Sequence, residues 1–597
     1  MTVVLTRHNS RCTSKNIEST TKCPVSRTAH KVLEWIRNVF LSLLKCIQNL
    51  LRVISCKEPT TTRNATTSPS DRSRRPPLVE DPSGTLEERL RINPEDTLNE
   101  LKQRYGKVFR YTNQNTAKST VCICDNDIAN AALKSRSISF DIPSYQSKTR
   151  FGLHNYMKLG PMQAAKLSTY FRKNLNDQRN LHLFQTRFKQ AMKHRIESFV
   201  QEQQVDASAA AETTATVMPL TDIVAKIVFA ANVDTIFGNQ VYTLQFYNDF
   251  QIFSKSIGYR SASSKAAATT QDVESEQAKI VHQAKQRLLK ILSSVRRTPT
   301  QQKQSRESSP EAVEALPIIQ NIQTTLHMTD EEADLLSLLL LWGANVNLLP
   351  SSIWIISRML LQQESTTSAR GNNDFIASLT QEKQKQTVSE DGNENDRRPM
   401  LDSVIAEGLR LYSRPNMYRV ATKDCTIRVN EDTANVASHQ LSQHCDKQEI
   451  EIQKDEWIWL FPKSYLHYNN NVYPEPEMYK PFERWLSDDD TKADRYTCPF
   501  KNGFKFLRVF GGGYNPCPGK EYAIMVLRMV VDQLVLTSPG DGREGCNFKI
   551  TKLAARTSRA GKIPSSVDGR VSPKQVTQSV ASTPPPSDDI YVEVVCV

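Results

Sequence analysis

The sequence predicts a mainly α-helical protein with small β-sheets, an α+β fold. One observation is the mainly helical spacing of apolar residues from about 160 to 360. A second is the order helix, strand, turn, strand, helix over LNELKQRYGKVFRYT and STVCICDNDIANAALK. The third is the length of 597 residues, 39% of them hydrophobic, which is enough for a sizeable core. That length fits three or four ordinary domains, or one large domain with appendages.

The composition restricts the class of protein. A mean hydropathy of −0.49 is polar for an enzyme, which indicates a globular body diluted by polar insertions. The 77 Lys and Arg against 64 Asp and Glu give a net charge of +13. This excess suits an anionic membrane surface or an acidic protein as well as nucleic acid. None of the 12 cysteines forms a Cys-x-x-Cys pair, which excludes zinc ribbons and thioredoxin-type sites and favours reduced, cytosol-facing thiols.

The N-terminal region indicates a contact with a membrane. Residues 1–30 are a basic leader rich in Ser and Thr. In residues 31–56, polar side chains recur every three or four positions within an apolar run, which predicts an amphipathic membrane-anchor helix. A signal anchor that spans the bilayer and a helix packed on the protein's own body are the alternatives. The leader also resembles a mitochondrial presequence, so a mitochondrial membrane stays open.

Polar segments divide the rest of the chain. Residues 57–84 are predicted to be a linker, with a stiff hinge at Arg74-Arg75-Pro76-Pro77. The main body is expected at 85–550, with polar, disordered insertions such as 363–398. Residues 551–597, rich in Ser, Pro and Lys, are predicted to be a disordered tail.

The most informative segment is FGGGYNPCPGK, residues 510–520, which precedes an amphipathic helical pattern. A cysteine just before a helix is expected to be stabilised as a thiolate by backbone N–H groups and by the helix dipole. The glycines allow a flat ligand to approach the backbone closely. A buried structural cysteine is the alternative. A phosphate-binding loop is disfavoured because the Gly-Lys-Ser/Thr ending is missing, and a nucleophilic cysteine is disfavoured because no histidine is nearby in sequence.

This segment resembles the haem-binding loop of the cytochrome P-450 family, Phe-x-x-Gly-x-x-x-Cys-x-Gly, in all four fixed positions. Upstream, and in the family's order, EGLR at 407–410 resembles its Glu-x-x-Arg motif, and PFERW at 481–485 resembles its Pro-Glu-Arg-Phe element. The run at 335–356 resembles its long I helix. The resemblance covers about 85–550. It implies a single large, mainly helical haem domain with haem b as the cofactor.

The resemblance assigns roles to residues of the loop. Cys517 would be the axial ligand of the haem iron. Phe510 would pack near its sulfur, and Gly513, Asn515 and Gly519 would complete the cofactor-binding loop.

The resemblance also assigns roles outside the loop. Arg419 matches a position that often pairs with a haem propionate, and an exposed arginine at a strand end is the alternative. Glu407, Arg410 and Arg484 resemble a buried ion triad, which we interpret as structural support.

Two departures from the family pattern bear on the chemistry. The loop usually carries an arginine for a propionate two residues before the cysteine, and here that residue is Asn515. The I helix usually carries an acid and an alcohol that relay protons, and here those positions are Val346 and Asn347. We interpret Asn347 as a catalytic residue, because an amide can hydrogen-bond a bound oxygen or peroxide although it is a poor proton relay. A polar residue that merely bends the helix is the alternative, and Pro350 is expected to break the helix just past it.

The Trp-x-x-x-x-Asn-x-x-Pro arrangement resembles one branch of the family, which holds sterol hydroxylases of bile-acid and oxysterol metabolism together with prostacyclin synthase. It implies a monooxygenase that hydroxylates a lipophilic, sterol-like substrate with O2 and with electrons from NADPH, delivered through a reductase. The alternative is a reductase-independent isomerase or dehydratase of a lipid endoperoxide or hydroperoxide. A non-enzymatic haem protein is a third hypothesis.

The expected partners are an NADPH-dependent reductase, a lipophilic small molecule and a membrane surface, without nucleic acid. The predicted location is the endoplasmic reticulum membrane, with the catalytic domain facing the cytosol, and a mitochondrial membrane is the alternative. Four basic residues flank the haem loop and are expected to contribute to a docking surface for the reductase: Lys501, Lys505, Arg508 and Lys520.

Overall fold

The chain divides into two compact units, Met1–Arg72 and Ser73–Val597. The leader at 1–30 and the predicted anchor at 31–56 lie outside the described residues. The computed structural model describes residues 74–81, 84–86, 89–90, 94–112, 119–139, 161–207, 216–258, 271–297, 317–368, 375–387, 398–413, 417–428, 449–486, 500, 507–537, 548–553 and 590–596.

Helices make up most of the described residues of the second unit, which confirms the predicted mainly helical class. Two short π-helical turns, Val224–Phe229 and Lys463–His467, accompany them. The helices are α1 (Pro94–Tyr105), α2 (Asn126–Lys134), α3 (Pro161–Asn176), α4 (Gln178–Ala207), α5 (Leu220–Ile223), α6 (Ala230–Phe237), α7 (Leu244–Gly258), α8 (Gln271–Arg297), α9 (Pro317–Gln320), α10 (Ile322–Leu326), α11 (Asp330–Asn345), α12 (Leu348–Ser368), α13 (Phe375–Thr387), α14 (Pro399–Tyr412), α15 (Pro481–Trp485) and α16 (Lys520–Leu534).

The strands form four small sheets. The largest has the order β1-β2-β8-β5-β3, in which β2 and β8 are parallel and the other neighbours are antiparallel. A second sheet has the order β11-β12-β4, and β6-β7 and β9-β10 are two-stranded. The strands are β1 (Val108–Thr112), β2 (Ser119–Ile123), β3 (Ile138–Ser139), β4 (Thr216–Pro219), β5 (Met417–Ala421), β6 (Cys425–Arg428), β7 (Glu449–Ile452), β8 (Trp457–Leu460), β9 (Gly511–Gly512), β10 (Asn515–Pro516), β11 (Phe548–Leu553) and β12 (Tyr591–Cys596).

Local sequence explains where two of the helices that border the site begin. The Asp125 carboxylate accepts hydrogen bonds from the backbone N–H groups of Asp127 and Ile128, which satisfies free donors in the first turn of α2. At the start of α11, the Thr329 hydroxyl accepts from the Glu332 N–H, and the Glu332 carboxylate accepts from the Thr329 N–H. This reciprocal pair is a capping box, and it fixes the first turn of the longest apolar segment.

Helices α11 and α12 cross the core in succession. The stretch Asp330–Gln363 is long and apolar enough to cross a membrane, yet 61% of its most apolar window is buried inside the protein, as in a core helix. The helix is interrupted between Asn345 and Leu348. Pro350 has no N–H to donate to the carbonyl of Val346, four residues earlier, so the interruption falls at the position where proline breaks helical bonding. Asn347 lies inside this break.

The predicted linker at 57–84 is wrong for its C-terminal part. Arg75 pairs with Glu456 at 2.9 Å, and Val79 is buried in a core cluster. Arg110 donates from its backbone N to the Pro77 carbonyl at 2.9 Å, and from Nε to the Pro76 carbonyl at 3.0 Å. The proline pair therefore lies bonded along β1. It is therefore not a hinge between separate parts of the chain, because both proline carbonyls accept hydrogen bonds from Arg110.

Two further predictions of disorder are also wrong in part. Within the predicted insertion at 363–398, helix α13 buries Phe375 and Leu379. Within the predicted tail at 551–597, strand β12 pairs with both β11 and β4 and buries Val592 and Val594. In both segments a few apolar residues at helical or strand spacing are enough to join the core.

A buried carboxylate joins α14 to α15. The Glu407 carboxylate accepts from Arg410 Nε and Nη2, both at 2.8 Å, and from Arg484 Nε at 3.0 Å. It also accepts from the Trp485 indole N–H and the Lys480 backbone N–H, both at 3.1 Å. Glu407 therefore contacts both other residues of the predicted triad. These bonds fix α15 against α14.

We expect Glu407→Gln to destabilise the protein by about 3–5 kcal/mol, because the amide leaves two buried guanidinium groups without their anion. Equilibrium unfolding by urea, followed by tryptophan fluorescence, measures the change. Glu202→Gln is the control, since Glu202 forms an exposed pair with Lys226 and its loss is expected to cost below about 1 kcal/mol. Equal stability of the Glu407→Gln variant and the wild type would contradict the structural role.

Candidate active site

The cysteine loop is a short hairpin followed by a helix. In β9 and β10, Gly512 faces Asn515 and Gly511 faces Pro516. The backbone N–H of Cys517 donates to the Phe510 carbonyl at 2.8 Å and closes the hairpin. Helix α16 begins three residues after the cysteine, at Lys520. The hairpin and the first turn of α16 therefore hold Cys517 from both sides.

Gly513 is required by the geometry of this hairpin. Its φ of +69° lies in the left-handed region, which side chains other than glycine adopt at a cost. A Cβ at this position would lie 2.1 Å from the backbone oxygen of Leu133 in α2. The hairpin thus packs backbone to backbone against the end of α2, and a larger residue would displace it.

The environment of the Cys517 sulfur differs from the sequence expectation. The backbone N–H of Gly519 donates to the sulfur, which favours the thiolate, but desolvation has the larger effect and raises the thiol pKa. The side chain is nevertheless accessible to solvent. Protein atoms therefore surround the sulfur closely while one side of it stays open. Desolvation therefore acts against the thiolate that the sequence predicts at this position.

The C-terminal end of helix α11 is partly exposed to solvent. Leu335–Leu338, Leu348, Leu349 and Ser351–Ile356 are buried, yet Gly343 and Asn347 between them are exposed. Asn347 lies four residues after Gly343, in the break that follows α11. A Cβ on Gly343 would meet no other heavy atom within 4 Å. The core helix therefore borders open space next to its break.

Three buried polar side chains connect this break to the helix after the cysteine. The Tyr522 hydroxyl, in α16, donates to Asn232 Oδ1 in α6. Asn232 Nδ2 donates to Asn345 Oδ1 at 2.8 Å, and Asn345 Nδ2 donates to the Leu341 carbonyl at 2.8 Å. The network fixes the end of α11 relative to α16. Sequence reasoning missed it, although asparagines inside the apolar runs VFAANVDTIF and LWGANVNLL were a visible signal.

Two arginines near the loop, Arg419 and Arg508, are buried. Arg419 on β5 is 4% exposed and donates from Nη1 to the Tyr418 carbonyl at 2.8 Å, and desolvation lowers its pKa to about 10. It is not an exposed residue at a strand end. Arg508 is 5% exposed, and its Nε has no hydrogen-bond partner among the described residues.

These features fit haem b. The thiol of Cys517 is a suitable iron ligand, open space borders Gly343, and buried guanidinium groups suit the two carboxylates of the cofactor. Phe510 is partly buried and packs against the main core. Gly519 is the residue immediately before α16, and the side chain of Asn515 lies outside the described part of the chain.

The expected docking surface needs correction. Arg508 is buried and cannot contribute to it. The Lys520 side chain is only 12% exposed, and its Nζ bonds to the Phe500 carbonyl and lies 3.3 Å from Glu521. Lys501 and Lys505 lie outside the described residues.

Comparison with known proteins adds a family. The cytochrome P450 profile matches residues 85–429 and 432–537. The chain is 27% identical over 220 residues to cytochrome P450 7A1 of Sus scrofa, covering 35% of this chain and 39% of that protein. It is 28% identical over 201 residues to cholesterol 7-alpha-monooxygenase of Cricetulus griseus, covering 32% and 35%. It is 25% identical over 191 residues to human prostacyclin synthase, again covering 32% and 35%.

The alignments span about two fifths or less of the length of these relatives. The structure also resembles the retinoic acid-bound cyanobacterial CYP120A1, with a TM-score of 0.58 and 18% identity, over 88% of this chain and 99% of that chain. That likeness concerns the fold. With the family profile covering most of the chain, the protein belongs to the cytochrome P450 family.

Proposed function

We propose that the protein is a monooxygenase that hydroxylates a lipophilic, sterol-like substrate, using O2 and electrons that a reductase takes from NADPH. The observation that carries this proposal is Cys517, a solvent-accessible thiol held between a glycine hairpin and the first turn of α16. The identity with cholesterol 7-alpha-monooxygenase supports the substrate class.

Haem iron, when bound, supplies the activation of dioxygen, so that one oxygen atom enters a C–H bond and the other leaves as water, with two electrons from NADPH and two protons. Cys517 would ligate the iron. Phe510 and the hairpin at Gly513 would shield the sulfur on the protein side. Arg419 would bind a propionate through a charge-assisted hydrogen bond.

Asn347 is exposed at the helix break, and in this proposal it faces the reacting oxygen. Its amide can donate and accept hydrogen bonds, but it cannot release a proton at neutral pH. Between Trp342 and Asn347 the helix carries no carboxylate or hydroxyl group. In this proposal Asn347 orients a water molecule or the reacting oxygen, and water carries the protons.

The second candidate function is the isomerisation or dehydration of a lipid endoperoxide or hydroperoxide. Val346 and Asn347 in place of an acid and an alcohol favour it, because such a rearrangement needs neither delivered protons nor a reductase. The 25% identity with prostacyclin synthase supports the same alternative.

The remaining parts of the proposal concern location. Residues 31–56 would anchor the protein to the endoplasmic reticulum membrane, with the catalytic domain facing the cytosol, where the reductase docks. The amphipathic pattern of this segment supports a membrane contact. Fractionation of cells that express the full chain distinguishes this membrane from a mitochondrial one.

We expect Cys517→Ser to abolish the thiolate-type spectrum of the reduced carbon monoxide complex, because a hydroxyl does not replace a thiolate on haem iron. Difference spectroscopy of the purified protein measures it. Cys425→Ser is the matched control, since Cys425 is a partly exposed cysteine on β6. A thiolate-type spectrum that persists in Cys517→Ser would overturn the ligand assignment.

We expect hydroxylated product from a panel of sterols only when NADPH and a reductase are both present. Product analysis by mass spectrometry, with and without each component, and with lipid endoperoxides in the same panel, tests this. Product formed from an endoperoxide at the same rate without the reducing system would instead establish the isomerase.

We expect Asn347→Ala to lower turnover by at least about tenfold while the carbon monoxide spectrum stays thiolate-type, because the variant loses an oriented hydrogen bond at the reacting oxygen. Steady-state kinetics measures the loss. Asn321→Ala, which changes an exposed asparagine before α10, should turn over like the wild type. Unchanged turnover of Asn347→Ala would leave that residue with only the role of bending the helix.

A further inference from the structure

Arg508 lies two residues before Phe510, where the cysteine loop begins, and its backbone N–H and carbonyl both form hydrogen bonds. Its N–H donates to His467 Nε2 at 3.2 Å, and its carbonyl accepts from the Gly511 N–H at 3.1 Å. The residue is 5% exposed. The position of this cation inside the protein, directly before the loop, is therefore determined by the fold.

The guanidinium group of Arg508 has neutral partners. Nη2 donates to the amide oxygen of Asn130 in α2. Nη1 lies under the hairpin, where a Cβ on Gly512 would come within 2.6 Å of it. Nε is buried without a hydrogen-bond partner, and no carboxylate of the described residues forms an ion pair with this group. A buried cation is costly unless an anion and hydrogen bonds compensate it.

Arg508 belongs to a larger group of donors, which we call the cationic cluster: Arg419, Tyr465 and Arg508. The hydroxyl of Tyr465 is buried and has no hydrogen-bond partner among the described residues. The charges of both arginines act on this hydroxyl and lower its pKa, against the larger effect of burial, which raises it. Both guanidinium groups are therefore near Tyr465. The cluster combines two positive charges with the Tyr465 hydroxyl, a donor that has no partner among the described residues.

Two other buried arginines of this unit show how protein carboxylates can compensate a buried guanidinium group. Arg296 bonds to Asp334 and Asp330, both at 2.8 Å, and Arg410 bonds to Glu407. Arg508 instead bonds to an amide oxygen, and Arg419 of the same cluster bonds to a backbone carbonyl. The anion that matches it is then expected from a ligand.

The loop sequence indicates which anion this is. Position 515, two residues before the cysteine, usually carries a propionate-binding arginine in loops of this type, and here it is asparagine. Haem b carries two carboxylates on flexible arms, and both need donors when they are buried. We propose that Arg508 binds a haem propionate in place of the arginine that is missing at position 515. This inference rests on the proposed haem-thiolate function.

The test compares haem with haem dimethyl ester, in which both carboxylates are neutral. The rate at which each cofactor leaves the full-length protein is measured by transfer to excess apomyoglobin. We expect Arg508→Met to release haem at least about tenfold faster than the wild type, because a charge-assisted hydrogen bond is lost. The same substitution should change release of the ester by less than about twofold.

Arg296→Met is the matched control, because it removes a buried guanidinium group that is held by protein carboxylates. Any general loss of stability in this control should speed the release of haem and of its ester equally. Equal acceleration of both cofactors in Arg508→Met, or no acceleration of either, would overturn the proposal and leave Arg508 a structural residue.

A second variant tests the replacement directly. Arg508→Met combined with Asn515→Arg should recover most of the haem retention, because the cation returns from the other position of the loop. If Arg508→Met does not fold, folding of the combined variant with wild-type haem retention supports the same conclusion. Failure of the combined variant to retain haem, although it folds, would count against it.

The two proposals fail in different ways. A wild-type protein without a thiolate-type carbon monoxide spectrum contradicts the haem-thiolate function itself, whatever Arg508 does. A wild-type protein with that spectrum, but with equal release of haem and ester, contradicts only the role of Arg508.

Discussion

The buried carboxylate of Glu407 is the group that holds α14, α15 and the segment before α15 together. It is completely buried, and its two oxygens receive donors from α14, from α15 and from the backbone that precedes α15. Separating this buried carboxylate from its donors would leave buried charges unpaired. The segment that follows the π-helical turn Lys463–His467 is therefore held against α14. The same turn contains His467, whose carbonyl accepts from Arg410 and whose ring accepts from the backbone of Arg508. The path from the ion triad to the cysteine loop is thus a continuous series of bonds.

Much of the site could be predicted because its motifs are local. The spacing of Phe510, Gly513 and Cys517 is a property of one hairpin, and the break before Pro350 follows from the missing N–H of proline. The errors came from composition. The segments around Val79, within 363–398 and at the C-terminus are polar on average, so they were predicted to be linker or disorder. Each one buries a few apolar residues at regular spacing, and average polarity does not reveal this.

The role of Arg508 was missed for a different reason. Charged side chains are almost always at the surface, so a basic residue beside the loop was assigned to docking. Its burial depends on the contact between the hairpin and α2, through Gly513 and Leu133, which joins residues far apart in sequence. The same contact brings Asn130 to the guanidinium group. No local sequence pattern predicts a contact between residues that lie so far apart in the chain. Only the position of Asn515, where an arginine was expected, indicated that a cation had to come from elsewhere.

The electrostatics of the residues favour a cofactor that brings its own charges. Burial raises the pKa of the Cys517 thiol and lowers the pKa of Arg508 and Arg419, so desolvation disfavours the charged form of each group. Iron coordination deprotonates a thiol outright, and carboxylates favour charged guanidinium groups. Binding of an iron complex with two carboxylates would therefore favour the charged form of all three groups. The polar network from Tyr522 through Asn232 to Asn345 then fixes the helix break relative to α16, the helix that follows Cys517. In the proposed function, the chemistry at that break therefore depends on the Asn347 amide, since neither Val346 nor Asn347 is an acid or an alcohol.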